Sequence, residues 1–226
     1  GAAVGAADAN GMTALHNACA LGHEAVVRRL IEHGADVSGR AKGGRTALHA
    51  AAVVGDSGVV DVLLAAGAAV GAVDEEGQTA LHVACVFGHH AVVQRLIDRG
   101  ADVSGRMKDG RTALHAAASA GHVGVVDVLV AAGAAVGAAD EDGWTALHWA
   151  SSSGHEAVVR RLVEHGADVS EQAKDGGTPL HPAAAGGHVG VVDVLVAAGA
   201  AVGAADAKGW TALHWASHEG REAVVV

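Results

Sequence analysis

Two triplets carry residue types and a spacing that could hold a metal: His16, Cys19 and His23, and, 66 positions later, His82, Cys85 and His89. Imidazoles and a thiolate three and four residues apart share one side of a helix. Zinc favours such ligands, usually four of them in a closed structural site. Each triplet offers three. The same histidine positions recur along the chain without cysteine. Seven (His16, His49, His82, His115, His148, His181, His214) stand in the string Thr-Ala/Pro-Leu-His, and five (His23, His89, His122, His155, His188) follow a glycine. Where the triplets have cysteine, the other copies hold Ala or Ser, and Cys packs there as a small apolar side chain. The histidines therefore read as framework, and no metal is expected. Burial in such a slot raises a thiol's pKa and makes it a poor nucleophile. No phosphate-cradling loop, nucleophile turn or paired carboxylates stand outside the recurring framework, so neither catalysis nor a cofactor is expected.

The elements that position these residues follow from the period. Thr-Ala/Pro-Leu-His begins at Thr13, Thr46, Thr79, Thr112, Thr145, Thr178 and Thr211, and a glycine recurs at Gly34, Gly67, Gly100, Gly133, Gly166 and Gly199, both every 33 residues. The threonine precedes an Ala-rich run, as an N-cap does, and Pro179 suits a first helical position. Gly22-His23 and its counterparts end that helix. A second helix follows, with Val26, Val27, Leu30 and Ile31 spaced to face inward and Arg28, Arg29, Glu32 and His33 outward. Gly34 closes it as a left-handed cap. The remainder, Ala35 to Arg45 in the first copy, is polar and too short for a third helix.

These residues resemble the ankyrin-repeat family: the period, TALHxA or TPLHxA, the Gly-His pair and the HGADV or AAGAAV segment recur in register. The resemblance covers the whole chain. It implies an all-α solenoid of stacked helix-turn-helix units with hairpin-like fingers, one array over residues 1–226. Full repeats are expected at 8–40, 41–73, 74–106, 107–139, 140–172 and 173–205, with the tail of a preceding repeat at 1–7 and a partial repeat at 206–226. Cys19 and Cys85 then lie two repeats apart. Packed helices stand about 8–10 Å from one another, so the pair exceeds the roughly 7 Å limit for a disulfide.

Above the repeat lies a duplicated pair. The copy from Thr112 matches that from Thr178 at 27 of 33 positions, but its neighbour from Thr145 at only 17 of 33. Copies from Thr13, Thr79, Thr145 and Thr211 are of one type, in which Arg28, Arg29, Arg95, Arg160 and Arg161 mark a charged second helix. Those from Thr46, Thr112 and Thr178 carry a bland one with a lone Asp61, Asp127 or Asp193. Recent duplication and deliberate design both fit this near-identity.

Composition sets the remaining bounds. Hydrophobic residues make up 50% of the chain but aromatics only 2%, as thin layers of Ala, Val and Leu require rather than one thick core. The net charge of −10 opposes phosphate, so a dedicated nucleic-acid binder is not expected. Uncharged apolar runs reach 12 residues, as in Val128–Ala139, against the roughly 20 of a spanning helix, so no membrane partner is expected. With no export signal read at the start and two cysteines in all, the expected location is cytoplasmic or nuclear.

The resemblance implies a protein-interaction module that meets its partner with the fingers and the inner, concave face of the first helices. Carried onto this chain, the finger positions alternate in charge. Arg40, Lys42 and Arg45 are basic, Asp74, Glu75 and Glu76 acidic, Arg106, Lys108 and Arg111 basic, and Asp140, Glu141 and Asp142 acidic. Stripes of this kind could select a partner by charge; the simpler account, preferred here, is that neighbouring fingers pair with each other. Phe87, Trp144 and Trp210 are the best single interface residues, since tryptophan is enriched in binding hot spots. For Trp144, interface and framework roles stay equally open. Trp149 and Trp215 are expected to pack between first helices.

Three departures from the family pattern matter. Ala41, Met107 and Ala173 stand where the family usually has Asp, so these fingers lose a turn acceptor and are expected to be looser. Pro182, Gly186 and Gly187 weaken the first helix after Thr178. The chain opens in a turn and stops within a second helix, so it is expected to be a segment of a longer array or to associate end to end. A consensus-like engineered scaffold without natural ligand and a structural spacer are the alternatives to a binding module.

Overall fold

The computed structural model describes residues 4–225. Residues 1–3 of the expected leading tail and Val226 of the partial repeat lie outside the described residues. The chain divides into two compact units, one ending at Lys108 and the other beginning at Asp109. The first holds three helix pairs: α1 (Ala14–Ala20) with α2 (Glu24–Glu32), α3 (Ala47–Val54) with α4 (Ser57–Ala65), and α5 (Ala80–Val86) with α6 (His90–Asp98). The second holds four: α7 (Ala113–Ala120) with α8 (Val123–Ala131), α9 (Ala146–Ser152) with α10 (Glu156–Glu164), α11 (Leu180–Gly186) with α12 (Val189–Ala197), and α13 (Ala212–His218) with α14 (Glu222–Val225). Within each unit, first helices stack on first helices and second on second, as α1 on α3 and α9 on α11.

Each first helix begins the same way. The Thr13 backbone N–H donates to His16 Nδ1 at 3.3 Å, and Thr13 Oγ1 lies 2.9 Å from the same nitrogen. This is a capping box closed by histidine. Because Nδ1 accepts, the ring proton sits on Nε2, which donates to a carbonyl in the next finger. His16 reaches Gly39 O, His49 Gln78 O, His82 Gly105 O, His115 Trp144 O, His148 Gly177 O and His181 Trp210 O, at 2.9–3.2 Å. One neutral, buried imidazole thus joins a helix start to the following turn. The histidine of the Gly-His pair bonds backwards: Nε2 of His89 donates to Val53 O, that of His155 to Ser119 O and that of His188 to Ser152 O. Arg221, where the pair reads Gly-Arg, does the same to Ala185 O at 2.8 Å.

The core is the sum of thin seams. Leu48, Leu81, Leu114, Leu147 and Leu180 of the first helices and Leu63, Leu96, Leu129, Leu162 and Leu195 of the second are all buried, each contributing about 1.5–3 kcal/mol. The expected inward face of the second helices holds for Val92, Val93 and Leu96 and for Val158, Val159 and Leu162, all fully buried. It does not hold for Val26, which is 48% exposed because no described helix covers that side of α2.

The bland and charged helices interlock. Asp61 of α4 accepts both Arg95 and Arg99 at 3.4 Å, and Asp127 of α8 takes Arg161 at 3.3 Å and His165 at 3.1 Å. This gives Asp61 and Asp127 a structural partner in the next repeat. Fingers are joined through one backbone bond each: Lys42 N–H to Asn10 O, Glu75 to Gly43 and Lys108 to Glu76 in the first unit, and Glu141 to Asp109, Lys174 to Asp142 and Ala207 to Asp175 in the second. The close approach demands glycine at Gly143. Its φ is +81°, and a Cβ there would stand 2.9 Å from the Lys174 nitrogen.

The basic fingers keep their turns by other means than the missing aspartate. Asp109 Oδ1 accepts the Arg111 N–H at 3.1 Å, and Asp175 Oδ1 accepts the Gly177 N–H at 2.9 Å. The finger after Ala41 makes a 3₁₀ turn over Lys42–Gly44, where Arg40 donates to Gly44 O at 3.0 Å. Ala41, Met107 and Ala173 themselves are buried.

Candidate functional site

The sequence-predicted interface residues fall into two groups with different surroundings. In the first unit two of them, Arg40 and Arg45, already serve the scaffold. Arg40 Nη1 donates to Gly44 O and, at 2.7 Å, to Val73 O, and Arg45 pairs with the buried Asp74 at 3.5 Å. Lys42, Glu75, Glu76, Arg106 and Lys108 are exposed along the fingers. Phe87 caps the end of α5, is half exposed, and stacks on His89 with ring centroids 6.1 Å apart.

The second unit differs because all four tryptophans of the chain lie in it. Asp140 organises one pair. Its Oδ1 accepts the backbone N–H of Asp142 and Trp144, and its Oδ2 accepts the Trp149 indole N–H at 2.9 Å. The Trp144 and Trp149 rings meet edge-on at 5.2 Å. Asp206 repeats this with Lys208, Trp210 and Trp215, whose indole donates to Oδ2 at 3.0 Å, and the two rings lie 4.9 Å apart. Trp149 and Trp215, expected to be packing residues, are therefore half-buried partners of Trp144 and Trp210 at the base of the fingers. Glu141 and Asp142 are exposed beside them. Arg111 pairs with Asp109 at 2.7 Å and lies over the Trp149 ring, 5.3 Å from its centroid.

Between the two tryptophan pairs the intervening repeat carries Gly177 and Pro182 in the places of Trp144 and Trp149. The lost bulk leaves a cleft of ≈ 170 Å³. Trp144 and His148 line it from the preceding repeat, Asp206 and Trp215 from the following one, and Gly177, His181 and Pro182 lie between, with Asp175 at the rim. That volume is below the roughly 300–1,000 Å³ of small-molecule sites, and suits one long side chain. Most polar atoms here are committed. His148 and His181 spend Nε2 on Gly177 O and Trp210 O. Burial pushes the Asp206 carboxyl up, but N–H donation from Trp210, Trp215 and Lys208 outweighs it and holds Asp206 below the usual carboxylate range. Asp175 is exposed; its Oδ1 takes the Gly177 N–H, and no described residue bonds its Oδ2.

Of the lining residues, sequence reasoning singled out only Trp144 as a site; Asp175, Gly177, Pro182, Asp206 and Trp215 were missed. The signal was present as a pattern of small residues flanked by Trp at the same repeat positions. The two His-Cys-His triplets, at His16 and at His82, are occupied otherwise. Both nitrogens of His16 and of His82 are hydrogen-bonded, and burial pushes the Cys19 thiol up to about 12 and Cys85 higher still.

Family models described as ankyrin repeats in three copies match residues 1–74, 41–107, 55–140, 104–173 and 166–226, which together span the chain. The crystal structure of the human ASB11 ankyrin repeat domain is similar, with a TM-score of 0.85 and 29% sequence identity over 93% of this chain and 96% of that one. Among curated proteins none matches the chain in sequence.

Proposed function

The chain belongs to the ankyrin-repeat family, whose members are in general protein-interaction modules rather than enzymes, and on that premise we propose that it is a non-catalytic scaffold binding a partner protein across its fingers and first helices. The observation that carries this is the row of half-buried indoles beside an open cleft in the second unit. The Trp149 and Trp215 indoles are held by their own N–H groups and pack against the Trp144 and Trp210 rings, so a partner that covers the row loses little side-chain freedom. At the cleft, His148 and His181 are committed to backbone carbonyls, and both cysteines lie buried in the first unit. Charge also favours a protein partner over nucleic acid, since the unit from Asp109 onward has fourteen acidic and six basic side chains. The free, buried cysteines suit a reducing compartment such as cytoplasm or nucleus. No described helix is long and apolar enough to cross a membrane.

The test compares the unmodified chain with two surface variants in affinity capture followed by binding measurements on the purified partner. Trp144→Ala with Trp210→Ala removes the indole face, whereas Arg160→Ala with Glu164→Ala alters the outside of α10. Weakening of binding by ten-fold or more in the first alone supports the proposal. Loss in the second alone places the interface elsewhere and overturns it.

A further inference from the structure

We propose that the cleft in the second unit seats an arginine side chain of the partner, between the Asp175 carboxylate and the Trp215 ring. The inference rests on the scaffold reading and names the chemistry of its partner: a basic segment that presents a guanidinium.

The grounds are internal to the chain. Because the pair of repeats is duplicated every 66 residues, Asp109, Arg111 and Trp149 correspond to Asp175, Gly177 and Trp215. In the first set the arginine is present. Its Nε lies 2.7 Å from Asp109 Oδ2, and its guanidinium stands 5.3 Å from the Trp149 centroid. A carboxylate and an indole face sharing one cation are thus shown to fit this framework. In the second set the carboxylate and the indole are kept and the arginine is glycine. The volume opened there is the cleft already described, and Asp175 Oδ2 has no partner among the described residues. Around it Asp206, ionised, and Asp142 at the adjoining edge of Trp144 are acidic, with Lys174 beside Asp142 basic. Lys208 Nζ lies 5.5 Å over the Trp215 ring, so the chain's own nearest cation already visits that indole. Pro182 lies between Trp149 and Trp215 in the row of first helices, where another Trp would fill the space.

The experiment titrates the full chain with a capped Gly-Ser peptide bearing three spaced arginines, and with its citrulline counterpart, at low salt. Indole N–H signals in two-dimensional NMR, assigned by single Trp→Phe variants, are the readout. The arginine peptide is expected to shift the Trp215 and Trp144 signals saturably, and citrulline, isosteric but neutral, to bind at least five-fold more weakly. Gly177→Arg, which supplies the cation in cis, should abolish the shift. Asp175→Asn, which keeps the turn acceptor, should weaken binding about three- to ten-fold. Lys208→Ala should strengthen it about two-fold by removing a competitor. Equal binding of the citrulline peptide, or arginine binding that Gly177→Arg and Asp175→Asn leave unchanged, overturns the inference. The scaffold reading can survive that result. A partner lost with Trp144→Ala plus Trp210→Ala but kept by Gly177→Arg sinks the arginine seat alone.

Discussion

Ser151 offers the sharpest test of how the layers are packed. It is fully buried in α9, and its hydroxyl has no hydrogen-bond partner among the described residues. The equivalent positions one repeat away on either side, Ala118 and Ala184, are alanine and fully buried, and two repeats back Cys85 fills the same place. An unpaired buried hydroxyl costs about 1–3 kcal/mol. Ser151→Ala removes that cost and gains about 0.5 kcal/mol of helix propensity, against a small loss of dispersion from one missing atom. The expected net gain is about 1–2 kcal/mol. At an m-value of about 2 kcal/mol per molar urea, the midpoint rises by about 0.5–1 M. Ser151→Cys should do nearly as well. The reciprocal Ala184→Ser should lower stability by a similar amount, and Ser217→Ala, at an exposed copy of the position, should gain no more than the propensity of about 0.5 kcal/mol. Urea unfolding followed by circular dichroism, with native-state hydrogen exchange on α9, measures all four. If Ser151→Ala destabilises or changes nothing while Ala184→Ser is also silent, the seam tolerates an unpaired hydroxyl and the packing account fails.

Stability should fall on acidification from near neutral pH. Burial holds the His49 and His148 imidazoles below their ordinary pKa, so the unfolded chain binds protons first; the loss begins near the unfolded value of about 6.5 and continues until pH passes the folded values. A melting temperature flat between pH 7.5 and 5 would contradict this. Gly143→Ala should cost about 2–4 kcal/mol in urea unfolding, clearly more than Gly166→Ala, which shares the positive φ but has no neighbour within 4 Å of its added Cβ. In α11 the Pro182 nitrogen cannot donate, and hydrogen exchange should find this first helix faster than α9. Pro182→Ala should slow it, and α11 among the slowest exchangers would refute the idea.

The fold was legible because one period repeats every local signal. Threonine, histidine and left-handed glycine recur at fixed places, and each has a single backbone role to play. What escaped was set by distance in space rather than in sequence. The Asp61 pairs with Arg95 and Arg99 join residues more than thirty positions apart, so the lone aspartates of the bland helices gave no sign of them. The fingers after Met107 and Ala173 were expected to be loose, yet Asp109 and Asp175 supply the acceptor two residues further on. The cleft was hidden for another reason. Large residues are the visible anchors in a sequence, and it is Gly177 and Pro182, by being small or short, that open the space Trp144 and Trp215 enclose.

The correspondence between Arg111 and Gly177 makes a prediction about both halves of the duplicated pair. If Arg111 occupies its own arginine seat, then Arg111→Gly should open a second one between Asp109 and Trp149. Arg111 is only partly exposed and makes one close ion pair and one ring contact, so its removal should cost about 1–2 kcal/mol. Gly177→Arg should return a comparable gain, because it adds the same contacts and also removes a flexible glycine from the unfolded chain. Its new Cβ would meet the Asp175 carboxylate at 3.0 Å, a flexible side chain that can give way. The two substitutions act on opposite ends of one comparison and can be measured together by urea unfolding and peptide titration. Arg111→Gly should lower the midpoint and raise the number of arginine-peptide sites from one to two, with the new one read at the Trp149 indole. Gly177→Arg should raise the midpoint and remove the original site. A loss of stability in both variants would mean that the arginine of the first copy is held by its own finger alone, and that the carboxylate and indole of the second copy do not form an equivalent seat.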